Sequence, residues 1–223
     1  VVKGGDILFV GTKRQARELT KELAEKTDMF HVSERWLGGT LTNNVTIRKS
    51  ITKMAEIDET LKGDAAAGMK KKELSLLARN AEKLHRDLDG IADMKRLPAA
   101  LVIIDVCHEI NAVREANKLG IPVIGIVDTN GDPSLVDYPV AANDDAIKSL
   151  QIITGLFVDA VLVAKEVYQK RMIEEKTAKG AAEKAAQETA EESEAAADKP
   201  KRAPRKPKAE GEAAAPAAED KAE

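Results

Sequence analysis

Three short apolar runs constrain the fold of this chain more than any other feature. They lie at residues 6–12, 101–106 and 122–128, and each has a Gly or Asp within its last two positions. Apolar residues that follow one another without alternation are typical of strands covered on both faces of a sheet. Amphipathic stretches at 13–26 and 110–119 have the spacing of helices. This order of strands and helices predicts a Rossmann-like parallel α/β sheet.

A segment with a different periodicity, 43–96, separates the two predicted parts of this α/β domain, 1–42 and 97–176. Its apolar residues recur along two stripes, Ile47, Ile51, Met54, Ile57 and Leu61, then Leu74, Leu77, Ala81, Leu84, Leu88 and Ile91. The second stripe alternates steps of three and four residues, as the seam of a coiled coil does. Glycines bound the segment 63–68 between the stripes. We therefore predict an inserted antiparallel coiled-coil helical hairpin that projects from the body as an arm.

The C-terminal segment, 177–223, consists mainly of Ala, Glu, Lys and Pro and contains no aromatic or large aliphatic residue. Such a composition buries too little apolar surface to offset the entropy of ordering the chain, so we predict a disordered tail. Charge over the whole chain is nearly balanced, with 35 Lys and Arg against 38 Asp and Glu. No global field would draw this protein to a polyanion, and any contact with nucleic acid must come from local basic patches.

Several other site classes are not expected. Cys107 is the only cysteine, which excludes a disulfide framework, and we predict that it is buried at a strand end. The three histidines lie far apart without metal-ligand spacing, so no metal site is predicted. We expect no membrane-spanning stretch and no signal peptide, and hence a cytoplasmic protein. Because the sequence starts at Val1, at the edge of a strand, we also expect that an N-terminal segment is missing.

An enzyme is the main alternative, since sheets of this kind bind ligands beyond the carboxyl ends of their strands. Thr12, Asp105 and Asp128 lie at those ends, and the two carboxylates could hold Mg²⁺ there. We favour the alternative in which both carboxylates cap turns, since residues 128–131 have typical turn chemistry. The first turn lacks both common phosphate-binding motifs, GxGxxG and GxxxxGK[ST], and no catalytic triad is evident. A nucleotide- or sugar-phosphate-binding enzyme therefore stays an alternative, and no cofactor is predicted.

Basic and small polar residues cluster at the start of the first helix and before the arm. The candidate RNA-binding residues are Lys13, Arg14, Arg17, Arg35, Trp36, Asn43, Asn44, Arg48, Lys49 and Lys53. Cations, amide side chains and a flexible glycine backbone suit contacts with phosphate and sugar. Ordinary solvated faces are the alternative, because acidic residues such as Glu56 and Glu59 follow. For Trp36 we favour a wedge that sets the angle of the arm over stacking on a base.

Four segments carry a resemblance to a known family: 7–16, 35–43, 120–130, and 132–140 with 143–147. Together they resemble the bacterial small-subunit ribosomal protein two family. The resemblance implies a Rossmann-like domain with an inserted coiled coil and a structural, non-enzymatic role. It also implies binding of small-subunit rRNA, contacts with neighbouring small-subunit proteins, and support for attachment of ribosomal protein one during translation. The chain would then be ribosome-associated, with no membrane and no small-molecule substrate. A coiled-coil interaction scaffold without RNA contact is the third interpretation.

Overall fold

The computed structural model describes residues 1–63 and 68–197, with side chains described as far as 177 apart from 175. Two units are distinguished, 1–173 and 174–223. In chain order the elements are β1 (Ile7–Val10), α1 (Arg17–Thr27), β2 (Phe30–Val32), α2 (Asn44–Lys62), α3 (Lys71–Leu88), β3 (Ala100–Ile104), α4 (Ile110–Leu119), β4 (Val123–Val127), β5 (Tyr138–Ala141) and α5 (Ile147–Ala197). Short 3-10 turns follow α3 at Asp89–Ile91 and precede β5 at Pro133–Leu135.

The five strands form one sheet in the order β2-β1-β3-β4-β5, with every neighbouring pair parallel. This is the flavodoxin-like order of the doubly wound sheets, and it confirms the predicted α/β class. The topological switch point lies between β1 and β3. Strand β5 was not predicted; it lies at the sheet edge, and its Tyr138 and Pro139 are exposed. An exposed strand that contains proline lacks the continuous apolar run that marked the buried strands.

The two faces of the sheet follow from the alternation of side chains along each strand. In β1, Leu8 and Val10 point to a core shared with α4, while Ile7 and Phe9 point to one shared with α1 and α5. The buried residues Ala112, Val113 and Ala116 form the sheet-facing side of α4. Helices therefore cover both faces, which explains why the central strands are apolar throughout.

The arm consists of α2 and α3, which pack against each other as the two predicted stripes require. The base of the arm does not stand apart from the body, however. Ile47, Met54, Leu88 and Ile91 belong to the same buried cluster as β1, β3 and α4. The predicted arm therefore projects from the body only beyond this inner half, whose apolar stripes continue into the sheet core. Most of the predicted breaker, at 64–67, lies outside the described residues.

Helix α1 begins at Arg17, four residues later than predicted. Lys13 to Ala16 instead form a turn, in which the Ala16 N–H donates to the Lys13 carbonyl at 2.8 Å. After the carboxyl end of β5, Asn143 caps the approach to α5. Its Oδ1 accepts from the N–H groups of Asp145 and Ala146, at 2.8 and 2.9 Å.

Helix α5 corrects one expectation about membranes. By length and composition it could span one, since Ile147–Glu174 contains an 18-residue window with a mean hydropathy of 1.7. Mostly buried core helices of soluble proteins meet the same criteria; α5 packs Leu150 and Val161 against the sheet, and 17% of its apolar window is buried. The helix is described to Ala197, past the predicted tail boundary at 177. The rest of the predicted disordered tail, 198–223, lies outside the described residues.

Candidate nucleic-acid interface

One carboxylate organises the loop that precedes the arm. Glu115, on α4, accepts the Trp36 indole N–H at 3.1 Å and the Gly39 N–H at 2.7 Å through Oε1. Its Oε2 accepts the N–H groups of Leu41 and Thr42 at 3.0 and 3.2 Å, and the Thr42 hydroxyl at 3.2 Å. Glu115 was not among the residues predicted from the sequence. Its place on an amphipathic helix gave no indication of a loop more than seventy residues earlier in the chain.

These hydrogen bonds keep Glu115 ionised. Burial by itself would raise its pKa, but donation from Gly39, Trp36 and the backbone of residues 41 and 42 outweighs that effect and holds the pKa below its ordinary value. The Trp36 ring is half-buried and packs with Leu37 against the main core cluster. Trp36 thus has the contacts of a wedge between loop and body, the role that we favoured over base stacking.

The loop then turns into α2. Gly39 has a positive φ of 89°, which glycine adopts readily and other residues do not. Its carbonyl accepts the Asn43 N–H at 2.7 Å, and the Asn43 side chain accepts the Thr46 hydroxyl at 3.0 Å. Asn44 is the first residue of α2. The two asparagines thus lie at the junction between the loop and the helix, where Asn43 is exposed and Asn44 is half-buried.

Beyond this junction, α2 presents cations to solvent. Arg48, Lys49 and Lys53 are exposed, while Ile47 and Met54 on the other side of the helix are buried. Arg14 and Arg35 are exposed as well. Within the part of the chain whose side chains are described, none of these five cations forms a salt bridge.

Lys13 is in a different situation, because three carboxylates surround its ammonium group. Its Nζ lies 3.2 Å from Asp105, 2.9 Å from Asp144 and 2.6 Å from Asp145. Burial favours neutral lysine, but hydrogen bonds to the three carboxylates outweigh it and raise the pKa of Lys13. Only 18% of the side chain is exposed. Lys13 therefore balances charges inside the domain and has little surface to offer an external phosphate.

Arg17 is both paired within the domain and partly exposed to solvent. Its Nη1 pairs with Glu34 at 2.9 Å, and its Nε donates to the Thr12 carbonyl at 2.9 Å. Lys21 shares the same carboxylate at 3.3 Å. The Arg17 side chain is still 42% exposed, so one edge of the guanidinium faces solvent while the other is held by the domain.

The strand ends at the switch point contain acids where a phosphate-binding site needs donors. The Thr12 N–H donates to Glu109 at 2.9 Å, and the Thr12 hydroxyl donates to the same oxygen. Asp105 has a positive φ of 69° and accepts the His108 N–H at 2.9 Å. Asp128 accepts the N–H groups of Thr129 and Asp144, at 2.6 and 3.4 Å. A phosphate would therefore meet carboxylates in this crevice.

Two smaller expectations concern reactive and metal-binding groups. Cys107 is exposed, and its thiol donates to the Asn130 carbonyl at 3.2 Å, so the prediction of a buried cysteine was wrong. It lies just past β3, beyond the strand end that we expected to bury it. Among the described residues, no group of three or more His, Cys, Asp or Glu side chains is arranged to hold a metal ion.

The fold and these sites define a class of protein: a doubly wound α/β domain with a charge-filled ligand crevice and an inserted helical arm that carries exposed cations. The chain belongs to the Ribosomal protein S2 family, whose model matches residues 1–164. This confirms the family that the four sequence segments predicted. Membership indicates a structural, non-enzymatic protein.

Relatives named small ribosomal subunit protein uS2 show the extent of the similarity. The protein from Bifidobacterium animalis subsp. lactis is 51% identical over 163 residues, which are 72% of this chain and 54% of the relative. The protein from Salinibacter ruber is 47% identical, covering 81% of this chain and 56% of the relative. For Cytophaga hutchinsonii the identity is 44%, covering 82% and 74%. The chain thus spans little more than half the length of the first two relatives.

Proposed function

We propose that this chain is a structural component of the small ribosomal subunit and binds small-subunit rRNA through the base of its arm. Family membership supports the ribosomal role. The observation that carries the RNA contact is the state of the cations between residues 35 and 53. Arg35, Arg48, Lys49 and Lys53 are exposed, and none forms a salt bridge within the described side chains. Cations with these properties are available to neutralise phosphates.

Roles within the proposed interface differ from residue to residue. Arg35, Arg48, Lys49 and Lys53 contact phosphates, and Arg14 and the free edge of Arg17 extend the same chemistry towards α1. The amides of Asn43 and Asn44, at the start of α2, donate to sugar and phosphate oxygens. Lys13 and Trp36 act indirectly, by balancing charge under the first turn and by holding the loop.

The proposal extends to protein partners and location. As a small-subunit component, the chain would contact neighbouring small-subunit proteins and support attachment of ribosomal protein one. It would be ribosome-associated in the cytoplasm. The outer face of α3, with exposed Lys71 and Lys72 near the tip of the arm, is a second charged surface for such contacts.

The alternative of a nucleotide- or sugar-phosphate-binding enzyme has no support in the residues at the switch point. Glu109 accepts the hydrogen bonds of Thr12, and three aspartates pair with Lys13. Carboxylates therefore outnumber cations at the switch point. Thermal unfolding with ATP and Mg²⁺ separates the alternatives, because a ligand that binds the folded state raises the Tm in a saturable way. We expect no shift, whereas a saturable increase would favour the enzyme.

Reconstitution of small subunits tests the proposed function. We expect the full chain to sediment with the subunits through a high-salt gradient and the variant Arg35→Ala/Arg48→Ala/Lys49→Ala to be reduced several-fold, because phosphate contacts supply much of the affinity. The matched control is Lys148→Ala/Lys170→Ala/Arg171→Ala, which removes the same charge from exposed positions of α5. Equal incorporation of the two variants would remove the arm base from the interface.

A further inference from the structure

The carboxylate of Glu115 joins helix α4 to the loop that precedes the arm. Five hydrogen bonds converge on it, from Trp36, Gly39, Leu41 and, twice, Thr42. All the donors belong to one loop, which ends where α2 begins. The acceptor belongs to α4, whose buried residues Ala112, Val113 and Ala116 are fixed in the sheet core.

Apolar packing of Trp36, Leu37 and Leu41 against the core also holds the loop. Leu41 is 2% exposed and anchors one end in the core, while Gly38 is exposed and its Cβ position faces open space. Among the described side chains, Glu115 is the only one outside the loop and α2 that accepts hydrogen bonds from residues 36–42. The path of the loop, and hence the direction in which α2 leaves the body, is set by this acceptor together with the packing of Ile47 and Met54 into the core.

We propose that Glu115 is the positioning residue of the basic arm: its carboxylate fixes the loop 36–42 to α4 and so sets the orientation at which Arg48 and Lys49 meet rRNA phosphates. The proposal rests on the proposed function, because it assigns a cause to the geometry of that interface. Glu115 itself does not contact RNA, since its negative charge would repel phosphate and its oxygens are occupied by the loop.

The chemistry of the site requires a carboxylate. Both oxygens accept, and every group that faces them is a donor. Glutamine would keep one acceptor and turn its own NH₂ group towards N–H donors of the loop, which leaves at least one of them without an acceptor. The glutamine side chain thus has nearly the same volume as glutamate but places a donor where an acceptor is needed. Glu115→Gln is therefore the variant that isolates the positioning role.

The direction of the expected effect separates positioning from simple electrostatics. Glu115→Gln removes a negative charge, which by itself would strengthen attraction to a polyanion. We expect the reverse: about tenfold weaker binding of an in vitro transcript of small-subunit rRNA by the full chain at constant salt. Glu166→Gln is the matched control, since this exposed residue of α5 carries the same charge. It should bind the transcript as the unmodified chain does, or slightly more tightly.

Tryptophan fluorescence supplies a readout at the site itself, because Trp36 is the only tryptophan of the chain. Loss of the indole hydrogen bond and loosening of the loop should shift its emission and increase its quenching by acrylamide in Glu115→Gln. Emission should stay unchanged in Glu166→Gln and in Arg35→Ala/Arg48→Ala/Lys49→Ala. A shifted emission together with weaker rRNA binding supports the proposal.

Other outcomes overturn either the positioning role or the proposed function. Unchanged emission in Glu115→Gln would show that the carboxylate does not hold the loop, and shifted emission with unchanged affinity would show that the loop does not orient the arm. Both would leave the proposed function intact if Arg35→Ala/Arg48→Ala/Lys49→Ala still weakens binding. Full affinity in that triple variant would instead contradict the proposed function.

A second variant applies if circular dichroism shows that Glu115→Gln does not fold. Trp36→Phe removes one donor to Glu115 but keeps an aromatic ring, and it should weaken rRNA binding about threefold. Unchanged binding in Trp36→Phe would reject the proposal.

Discussion

At the scale of single residues, Lys13 shows how a charge can be present in the sequence and absent from the available surface. We grouped it with Arg14 and Arg17 because the three lie within one turn of each other. In the folded chain, Lys13 is enclosed by Asp105, Asp144 and Asp145, which come from two loops more than ninety residues away. The partner of a cation depends on the fold, so sequence proximity alone placed this residue in the wrong environment for a direct phosphate contact.

The glycine pair of the loop yields a prediction with its own control. Gly39 has a φ of 89°, and a Cβ there would lie 3.1 Å from the Asn43 Cβ. Gly38 has no positive φ and open space around its Cβ position. In urea unfolding we expect Gly39→Ala to lower the free energy of unfolding by about 1–2 kcal/mol, from left-handed backbone strain. Gly38→Ala should change it by less than about 0.5 kcal/mol. Equal effects would mean that the loop does not take this path.

At the scale of elements, the arm is joined across its two helices by a histidine between two acids. His85 on α3 lies 2.8 Å from Asp58 on α2 and 2.9 Å from Asp89 in the following 3-10 turn. Hydrogen bonds to Asp89 and Asp58 raise the pKa of His85, and slight burial opposes them. Because the folded-state pKa is raised, the contribution of this group to stability is fully present below about 6.5 and is lost as the pH rises through the raised value.

An NMR titration of the histidine ring protons tests this arrangement. We expect His85 to titrate above 6.5 and Asp58→Asn to lower its pKa, because one hydrogen bond to the charged ring is weakened. His31 is an internal reference, since burial and Lys21 lower its pKa. The arrangement would be wrong if His85 titrated at or below 6.5, or if its pKa did not respond to Asp58→Asn.

How far the elements could be predicted depended on whether their signal is local. The buried strands and the seam from Leu74 to Ile91 were predictable, because continuous runs and heptad steps are visible within a few residues of sequence. The edge strand β5 and the late start of α1 were missed, since both depend on contacts made elsewhere. The same holds for the site. Glu109 accepts from Thr12 across 97 residues, and Glu115 accepts from Trp36 across 79.

At the scale of the whole molecule, the sheet and the base of the arm share one core. Residues of α2 and α3 pack into the cluster that also contains β1, β3 and α4. A rigid base is what a binding arm needs, because affinity is lost when a partner must first order the interface. The near balance of total charge is compatible with this design, because Arg48, Lys49 and Lys53 are exposed on one helix whereas Lys13 is paired inside the domain.

The central claim is that exposed cations at the base of the arm bind rRNA phosphates. The most direct measurement is the slope of log K against log salt concentration for binding of a small-subunit rRNA transcript. For Arg35→Ala/Arg48→Ala/Lys49→Ala we predict a slope shallower by about 2–3, since each lost phosphate contact removes about 0.7–0.9. Lys148→Ala/Lys170→Ala/Arg171→Ala should keep the original slope. An identical slope in the unmodified chain and the first triple variant would contradict the account.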